Sequence, residues 1–333
     1  MSQGFVTRRA LLAGGASAAL LLGAGAPVLA ADKPGKSTIS VGMSTAGFDY
    51  FPVYVAAAET WKQHGLTGEA TAFRSDAEVA QALAGGSIDI AAASMNAIVT
   101  LISAGQKVKA FYSGMDQANF EWFAQASTKS FADLKGKLVG TANPGSLTDS
   151  LTRYVLKQHG IDPAKDVQFT ASGGAPSSYQ ALKAKRLDLA ILSPPFKWRA
   201  EEEGFTKLAT QSKDVAPHWP KVLFMAREDF IEKHADTLRA FLAAHVEALR
   251  LAAREPARAS AVMVREIKYE PANAMRALKE SLADCDERGG LPVESMPVFW
   301  SIAIDNKDAD SAWPEARYFD RRFVDSFEQW APK

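Results

Sequence analysis

The chain has 333 residues, of which 38 are basic and 38 are acidic, so its formal net charge is zero. This balance gives no electrostatic reason to expect nucleic acid or an anionic membrane surface as a partner. Apolar residues make up 47% of the sequence, which is enough for two domains with their own cores. The single cysteine, Cys285, excludes an internal disulfide.

The N-terminal segment has the composition of an export signal. Thr7-Arg8-Arg9-Ala10-Leu11-Leu12 places paired arginines just before an apolar run that is rich in Ala, Leu and Gly. The run closes with the small residues that a signal peptidase requires, so we predict a signal peptide over residues 1–30, cleavage near Ala30 and a periplasmic mature protein. The paired arginines resemble a twin-arginine signal. A membrane anchor is the alternative, which the glycine interruptions and the cleavage site disfavour.

The mature chain begins by alternating strands with helices. Gly65 and Gly85-Gly86 are typical helix ends, and Ser75 with Glu78 forms a capping box. In chain order we predict a strand at 39–43, a helix from Pro52 to Gly65, a helix from Ser75 to Gly86, a strand at 88–91, a helix capped by Ser94 and a strand at 108–113.

The same alternation continues before the chain becomes helical. Ser146 and Asp149 form another capping box, and Gly160 is a usual helix end. We predict strands at 121–124, 138–140, 167–169, 187–190 and 222–226, and then helices at 229–254, 256–267, 271–284 and 315–330. Because the second group of strands is complete before this helical tail, we expect the tail to pack on the first group.

Two segments about a hundred residues apart nearly repeat one another. Segments 81–91 and 180–190 share Gln-Ala-Leu, a four-residue spacer and a short apolar strand that contains one aspartate. Each opens into a polar loop, at 94–96 or at 193–195. One helix–strand pattern could arise twice by chance in an α/β chain, but the matching identities favour two similar lobes. In open α/β sheets, ligands bind at the loops that follow such strands.

The predicted fold is therefore α/β with two lobes. Lobe 1 is discontinuous and comprises residues 38–120 and 227–333, and lobe 2 comprises residues 121–226. The chain then crosses between the lobes twice, near 121–126 and near 221–227. Two crossovers make a hinge, and periplasmic binding proteins close on their ligands in this way.

Four phrases in series resemble ABC-transporter substrate-binding proteins of the nitrate, sulfonate and taurine type, which include thiamin-pyrimidine binders. The phrases are Ala84–Ala91, Asp133–Gly140 with Gly145-Ser146, Ala190–Pro195, and Arg227–Ala244. The resemblance implies a type II periplasmic binding protein fold, a small organic ligand in the cleft and delivery to an inner-membrane permease. A sulfonate, a carboxylate or another anionic or aromatic solute fits this family. The thiamin-pyrimidine branch has a cysteine cluster that this chain lacks.

Candidate ligand contacts lie in loops that lead from strands into helices. The first turn of a helix presents free N–H groups and the positive end of the helix dipole, which suit an anionic or strongly polar group. Aromatic side chains could stack on a flat ligand or pack in the core, and the serines could be helix caps alone. The candidate loops contain no arginine or lysine apart from Lys197 and Arg199 just after Pro195, so the sequence does not determine the charge of the ligand. The candidates are Phe48, Tyr50, Phe51, Ser94, Asn96, Trp122, Gly145, Ser146, Thr148, Gly174 and Pro195.

Motifs for catalysis are lacking in the sequence. It contains no Gly-x-Ser-x-Gly elbow, Walker-type phosphate loop or zinc signature. We therefore expect a monomeric binding protein without enzyme activity, cofactor or metal. Two alternatives remain: an enzyme exported through the twin-arginine route, and a ligand sensor with the same fold.

Overall fold

The structure is a computed structural model that describes residues 34–282 and 285–333. The signal peptide and its cleavage near Ala30 lie outside the described residues and stay predictions. The described strands are β1 (Thr38–Met43), β2 (Thr67–Ala72), β3 (Ile90–Ala93), β4 (Val108–Gln117), β5 (Glu121–Ala124), β6 (Leu138–Thr141), β7 (Gln168–Ala171), β8 (Leu189–Leu192), β9 (Thr206–Thr210) and β10 (His218–Arg227).

Helices cover both sheets and form most of the C-terminal third. They are α1 (Phe51–Val55), α2 (Asp76–Ala84), α3 (Met95–Ser103), α4 (Leu147–Gln158), α5 (Ala175–Lys183), α6 (Phe196–Glu202), α7 (Gln211–Asp214), α8 (Glu228–Lys233), α9 (Ala235–Arg254), α10 (Pro256–Ile267), α11 (Pro271–Leu282), α12 (Met296–Asp305), α13 (Arg322–Asp325) and α14 (Phe327–Trp330). Among the residues described, no helix is long and apolar enough to cross a bilayer.

The strands form two separate five-stranded sheets. Their orders are β2-β1-β3-β10-β4 and β7-β6-β8-β5-β9. In the first sheet β1 is parallel to β2 and β3, and in the second β6 is parallel to β7 and β8. Each sheet also has antiparallel members, β10 in the first and β5 in the second. This arrangement agrees with the predicted α/β class.

The two repeated segments occupy equivalent places in the two sheets. Helix α2 leads into β3 and helix α5 leads into β8, and each strand is third in its sheet. Every residue of both strands is buried, as expected for strands covered on both faces. Their short apolar runs therefore reflect central positions, and the loops that follow them lie at corresponding edges.

Several helix boundaries follow from local chemistry. Ser75 caps α2, since its side chain accepts a hydrogen bond from the Glu78 N–H at 3.3 Å, and Ser146 caps α4 in the same way. Gly65 and Gly160 end their helices with φ angles of 72° and 75°, in the left-handed region that glycine adopts without strain. These four predicted helix boundaries are confirmed.

Other predicted elements were wrong. The helix predicted over 315–330 is instead a 3₁₀ turn at Glu315–Arg317 followed by the short helices α13 and α14, because the intervening chain pairs with β4: the Ala110 N–H donates to the Tyr318 carbonyl at 2.8 Å. The helix predicted over 229–254 breaks at His234 into α8 and α9. Edge strands β2 and β9 and helix α12 were not predicted.

The helical tail packs on the first sheet and its flanking helices. Helix α9 contacts the π-helical and 3₁₀ turns at Ala56–Thr60 and Trp61–His64, and α13 contacts β4. The Phe111 and Phe323 rings lie 5.4 Å apart, and they join the tail to that sheet. Strand β10 pairs with β4 from His218 to Arg227 and with β3 at residues 223–225, so residues 218–226 belong to the first sheet, and not to the second as the predicted lobe boundary would have it.

The chain passes between the sheets through two short connections. The first is residues 118–120, between β4 and β5, and the second is residues 211–217, between β9 and β10. The connections bond to each other: the Gln211 N–H donates to the Phe120 carbonyl at 2.8 Å, and the Phe120 N–H donates to Gln211 Oε1 at 3.3 Å. They therefore lie side by side.

Candidate ligand-binding site

The loops after β1 and β3 are joined by one carboxylate. Ser94 Oγ donates to Asp76 Oδ2 at 2.8 Å, the Ser94 N–H donates to Oδ1 at 3.2 Å, and Ser44 Oγ also donates to Asp76. Ser94 is the N-cap residue of α3, as predicted, but its side chain makes no capping bond to that helix. The reason is that Asp76, at the start of α2, attracts the hydroxyl more strongly than a backbone N–H does.

The three aromatic candidates after β1 are buried. Phe48, Tyr50 and Phe51 are 3%, 6% and 0% exposed. The Phe48 ring lies 5.6 Å from Phe51 and 5.7 Å from Tyr269, centroid to centroid. These contacts show that the three rings pack in the core, which was one of the two roles that the sequence left open. A ligand contact from any of the three stays a prediction.

Trp122 is also placed within a core. It is fully buried in β5, and its Nε1–H donates to Thr152 Oγ1 on α4 at 2.9 Å. Its polar atom is thus satisfied inside the second sheet and its helices. Stacking of Trp122 on a ligand stays a prediction that these contacts do not favour.

The residues at the start of α4 are hydrogen-bonded to one another. Gly145, with a φ of 73°, donates its N–H to Asp149 Oδ2 at 3.0 Å. Ser146 Oγ and Thr148 Oγ1 lie 3.1 Å apart, and the latter accepts from the Ala142 N–H at 2.9 Å. Capping by Ser146 is therefore established, whereas ligand binding by these three residues stays a prediction.

The remaining candidates show that loops of the two sheets meet. A Cβ atom added to Gly174 would lie 4.0 Å from Thr45 Cγ2, so the loop before α5 lies next to the loop after β1. The Asn96 amide donates to Ser150 Oγ at 3.0 Å, again across the sheets. Pro195 follows a cis peptide bond, and the neighbouring Pro194 carbonyl accepts from the Tyr269 hydroxyl at 3.2 Å.

A buried ionic cluster that no sequence motif indicated lies where the chain crosses between the sheets. Lys221 is 4% exposed; its Nζ lies 2.9 Å from Asp49 Oδ1 and donates to Asn119. The Asn119 amide in turn donates to Asp49 at 3.2 Å. Burial lowers the pKa of Lys221, the Asp49 carboxylate opposes this shift, and the Lys197 ammonium adds to it.

Lys197 carries the second buried ammonium of this region. It is 6% exposed at the start of α6, 2.5 Å from Glu280 on α11 and 3.6 Å from Glu121 on β5. The signal that could have revealed the cluster is Lys221 itself, a lone cation that adjoins the apolar run of β10.

Lys197 and Lys221 are thus both buried, and each is paired with a carboxylate from a distant part of the chain. Within the described ranges, no group of three or more His, Cys, Asp or Glu side chains could hold a metal ion.

Two α/β sheets whose polar loops meet across two chain crossings define the fold of the periplasmic binding proteins. The model of the NMT1-like family matches residues 32–265, more than half of the chain, and the protein belongs to that family. It is 27% identical over 217 residues to a binding protein of Brucella abortus, covering 64% of this chain and 66% of that protein. The alignment thus spans just under two thirds of that relative's length.

Solved structures show the same fold. A protein of Bordetella bronchiseptica RB50 superposes with a TM-score of 0.75 at 19% identity, covering 89% of this chain and 98% of that one. The periplasmic aliphatic sulphonate binding protein SsuA of Escherichia coli gives 0.67 at 16% identity, with coverages of 86% and 92%. The nitrate-binding protein NrtA of Synechocystis PCC 6803 gives 0.63 at 18% identity, with 73% and 70%. The predicted fold class and family resemblance are confirmed.

Proposed function

We propose that this protein is the solute-binding component of an ABC importer. It captures a small organic ligand between its two sheets in the periplasm and presents it to an inner-membrane permease. The observation that carries the proposal is the meeting of loops from the two sheets, at Gly174 with Thr45 and at Asn96 with Ser150. The relatives' names, which describe binding proteins, support capture without chemistry, and we propose no cofactor or metal and a monomeric state.

We propose that each sheet is the centre of one lobe. Lobe 1 comprises residues 38–117 and 218–333, lobe 2 comprises residues 121–210, and the connections 118–120 and 211–217 form the hinge. This moves the second predicted crossover towards the N-terminus, because β10 pairs within the first sheet. The bonds between Phe120 and Gln211 support a common hinge.

The ligand class that we propose is a small organic acid, such as a sulfonate or a carboxylate. Lys197 lies on lobe 2 and pairs with Glu280 of lobe 1, so a free acid can take the place of Glu280 when the lobes separate and close again. Two buried lysines in this region favour this exchange over binding of a cation. The sulphonate and nitrate named for SsuA and NrtA agree with an anionic ligand.

A thermal-shift screen tests the function. The panel contains sulfonates, aromatic carboxylates, nitrate, pyrimidines and flavin-like compounds. A ligand at a hundred times its dissociation constant stabilises the folded form by ~2.7 kcal/mol. If no compound raises the melting temperature while hydrolytic or redox assays show turnover, the protein is an enzyme and the proposal fails.

The lysines test the ligand class. Lys197→Gln should weaken an acidic hit about tenfold or more, because it removes a charged hydrogen-bond partner. Lys165→Gln, at a lysine that is 82% exposed, is the matched control and should leave affinity unchanged. If both variants bind the acid like the wild type, the charge of Lys197 does not contribute to the site.

A further inference from the structure

Side chains from two distant segments of lobe 1 converge on one serine of lobe 2. Ser150, near the start of α4, is 2% exposed. Its Oγ accepts a hydrogen bond from Asn96 Nδ2 at 3.0 Å and donates to Asp308 Oδ2 at 3.5 Å. Its carbonyl oxygen accepts from Asn306 Nδ2 at 3.4 Å. One partner follows the central strand β3, and the other two follow α12.

This hydroxyl does little for its own helix. The Ser150 N–H donates to the Ser146 carbonyl at 2.9 Å in the normal helical pattern, whereas the side chain is engaged across the lobes. A serine inside a helix has a lower helix propensity than alanine, and its hydroxyl commonly turns back to its own helix. Here the hydroxyl bonds to residues of the other lobe instead, so a serine at this position contributes to the contact between the lobes.

Asn96 depends on this bond. The residue is 5% exposed, and Oδ1 of its amide has no hydrogen-bond partner among the described residues. Without the Ser150 hydroxyl, both ends of a buried amide would be unsatisfied in the closed arrangement, which is costly. In an open arrangement water reaches the same amide. The hydroxyl therefore stabilises the closed arrangement relative to the open one, and contributes little to the folding of either lobe.

A neighbouring ion pair cannot replace this contact. Lys157 Nζ lies 2.8 Å from Asp305 Oδ2, but the two side chains are 36% and 58% exposed. Pairs this exposed to water contribute little, because solvent screens them and both long side chains must be ordered. The buried hydrogen bonds to Ser150 therefore stabilise this contact between the lobes more than the exposed ion pair does.

We infer that Ser150 is a positioning residue for solute capture, one that holds the lobes closed without touching the solute. The inference rests on the proposed function, since closure matters only if a solute is held between the lobes. Loss of the hydroxyl should shift the balance between closed and open forms and shorten the time for which any solute is retained.

The test measures the distance between the lobes in the ligand-free mature chain. Spin labels are attached at Lys165→Cys in lobe 2 and Lys233→Cys in lobe 1, both on exposed side chains, in a Cys285→Ser background. Double electron–electron resonance then gives the populations of short and long distances. Ser150→Ala should raise the long-distance population relative to the short one about tenfold, the effect of one unsatisfied buried group.

Thr152→Ala is the matched control, two residues along the same helix. Thr152 is equally buried, but its hydroxyl accepts from Trp122 within lobe 2. Thr152→Ala should lower the melting temperature, because Trp122 Nε1 loses its partner, and only Ser150→Ala should change the distances. If Ser150→Ala leaves the distances unchanged, or Thr152→Ala changes them equally, the inference is overturned.

The experiment also separates this inference from the proposed function, because it needs no solute. A shifted distance population in Ser150→Ala supports the role of Ser150 in holding the lobes closed even if the thermal-shift screen finds no ligand. An unshifted population refutes that role even if the screen identifies a solute.

Discussion

A buried histidine should make the stability of this protein depend on pH. His245 on α9 is 1% exposed, and neither ring nitrogen has a hydrogen-bond partner among the described residues. Its ring lies edge-on to Phe224 at 4.9 Å and to Tyr112 at 5.6 Å, centroid to centroid. Burial lowers the pKa of His245 from 6.5 to about 3, because the charged imidazolium has neither water nor a partner in this apolar site.

The direction of the pH dependence follows from proton uptake by the unfolded chain. Below pH 6.5 the unfolded chain binds a proton at this position and the folded chain does not, so the stabilising contribution is complete above pH 6.5 and is lost as the pH falls towards 3. Each pH unit in this window costs about 1.4 kcal/mol, so the free energy of unfolding should fall by about 2 kcal/mol between pH 6.5 and pH 5.

His245→Leu should abolish this loss. The variant should be equally or more stable at pH 7, because it removes two unsatisfied buried nitrogens, and its advantage should grow by about 1.4 kcal/mol per unit below pH 6.5. Urea unfolding followed by tryptophan fluorescence at several pH values between 8 and 5 measures this difference. Above pH 6.5 the two curves should run parallel, which is the internal control. Parallel curves down to pH 5 would refute the reasoning.

Four further variants test other features. Ser146→Arg should weaken solute binding if the start of α4 faces the ligand, and it should also lower the melting temperature because the capping bond to α4 is lost; unchanged affinity in a titration would exclude a role in binding. Burial raises the pKa of Asp308 above its usual 3.8, so its ionisation opposes closure at neutral pH, and acidification should increase the closed population. Asp308→Asn should remove that dependence in the distance measurement; an unchanged pH profile would contradict this role. Gly68→Ala should lower the free energy of unfolding by about 3 kcal/mol, since at φ 134° its Cβ would lie 1.8 Å from the Ile39 carbonyl oxygen. Gly145→Ala, which meets nothing within 4 Å, should cost only about 1 kcal/mol in the same unfolding assay, and equal losses would refute the steric argument.

Features set by neighbouring residues could be predicted from the sequence. The capping serines Ser75 and Ser146 and the helix-ending glycines Gly65 and Gly160 act within one turn of their own position. The buried central strands were predictable because apolar runs between turn residues have few other stable placements. The two-lobed arrangement followed from the repetition of one such unit.

Features set by distant residues could not be predicted. Edge strand β2 is mostly exposed and reads Thr-Gly-Glu-Ala-Thr-Ala, so it lacks the apolar alternation that marks a half-buried strand. Asp49 meets Lys221 across 172 positions of the chain, and neither residue has a local pattern that indicates the other. The hydrogen bond from Ser94 to Asp76 could not be predicted, because it depends on how α2 packs beside β3.

The paired connections between the sheets limit how the molecule can move. Because Phe120 and Gln211 are bonded to each other in both directions, one connection cannot swing while the other stays fixed. Twisting of one sheet about its connection would break these bonds, whereas bending of both together would keep them. In the hinge that we propose, the two lobes would therefore rotate about a single axis.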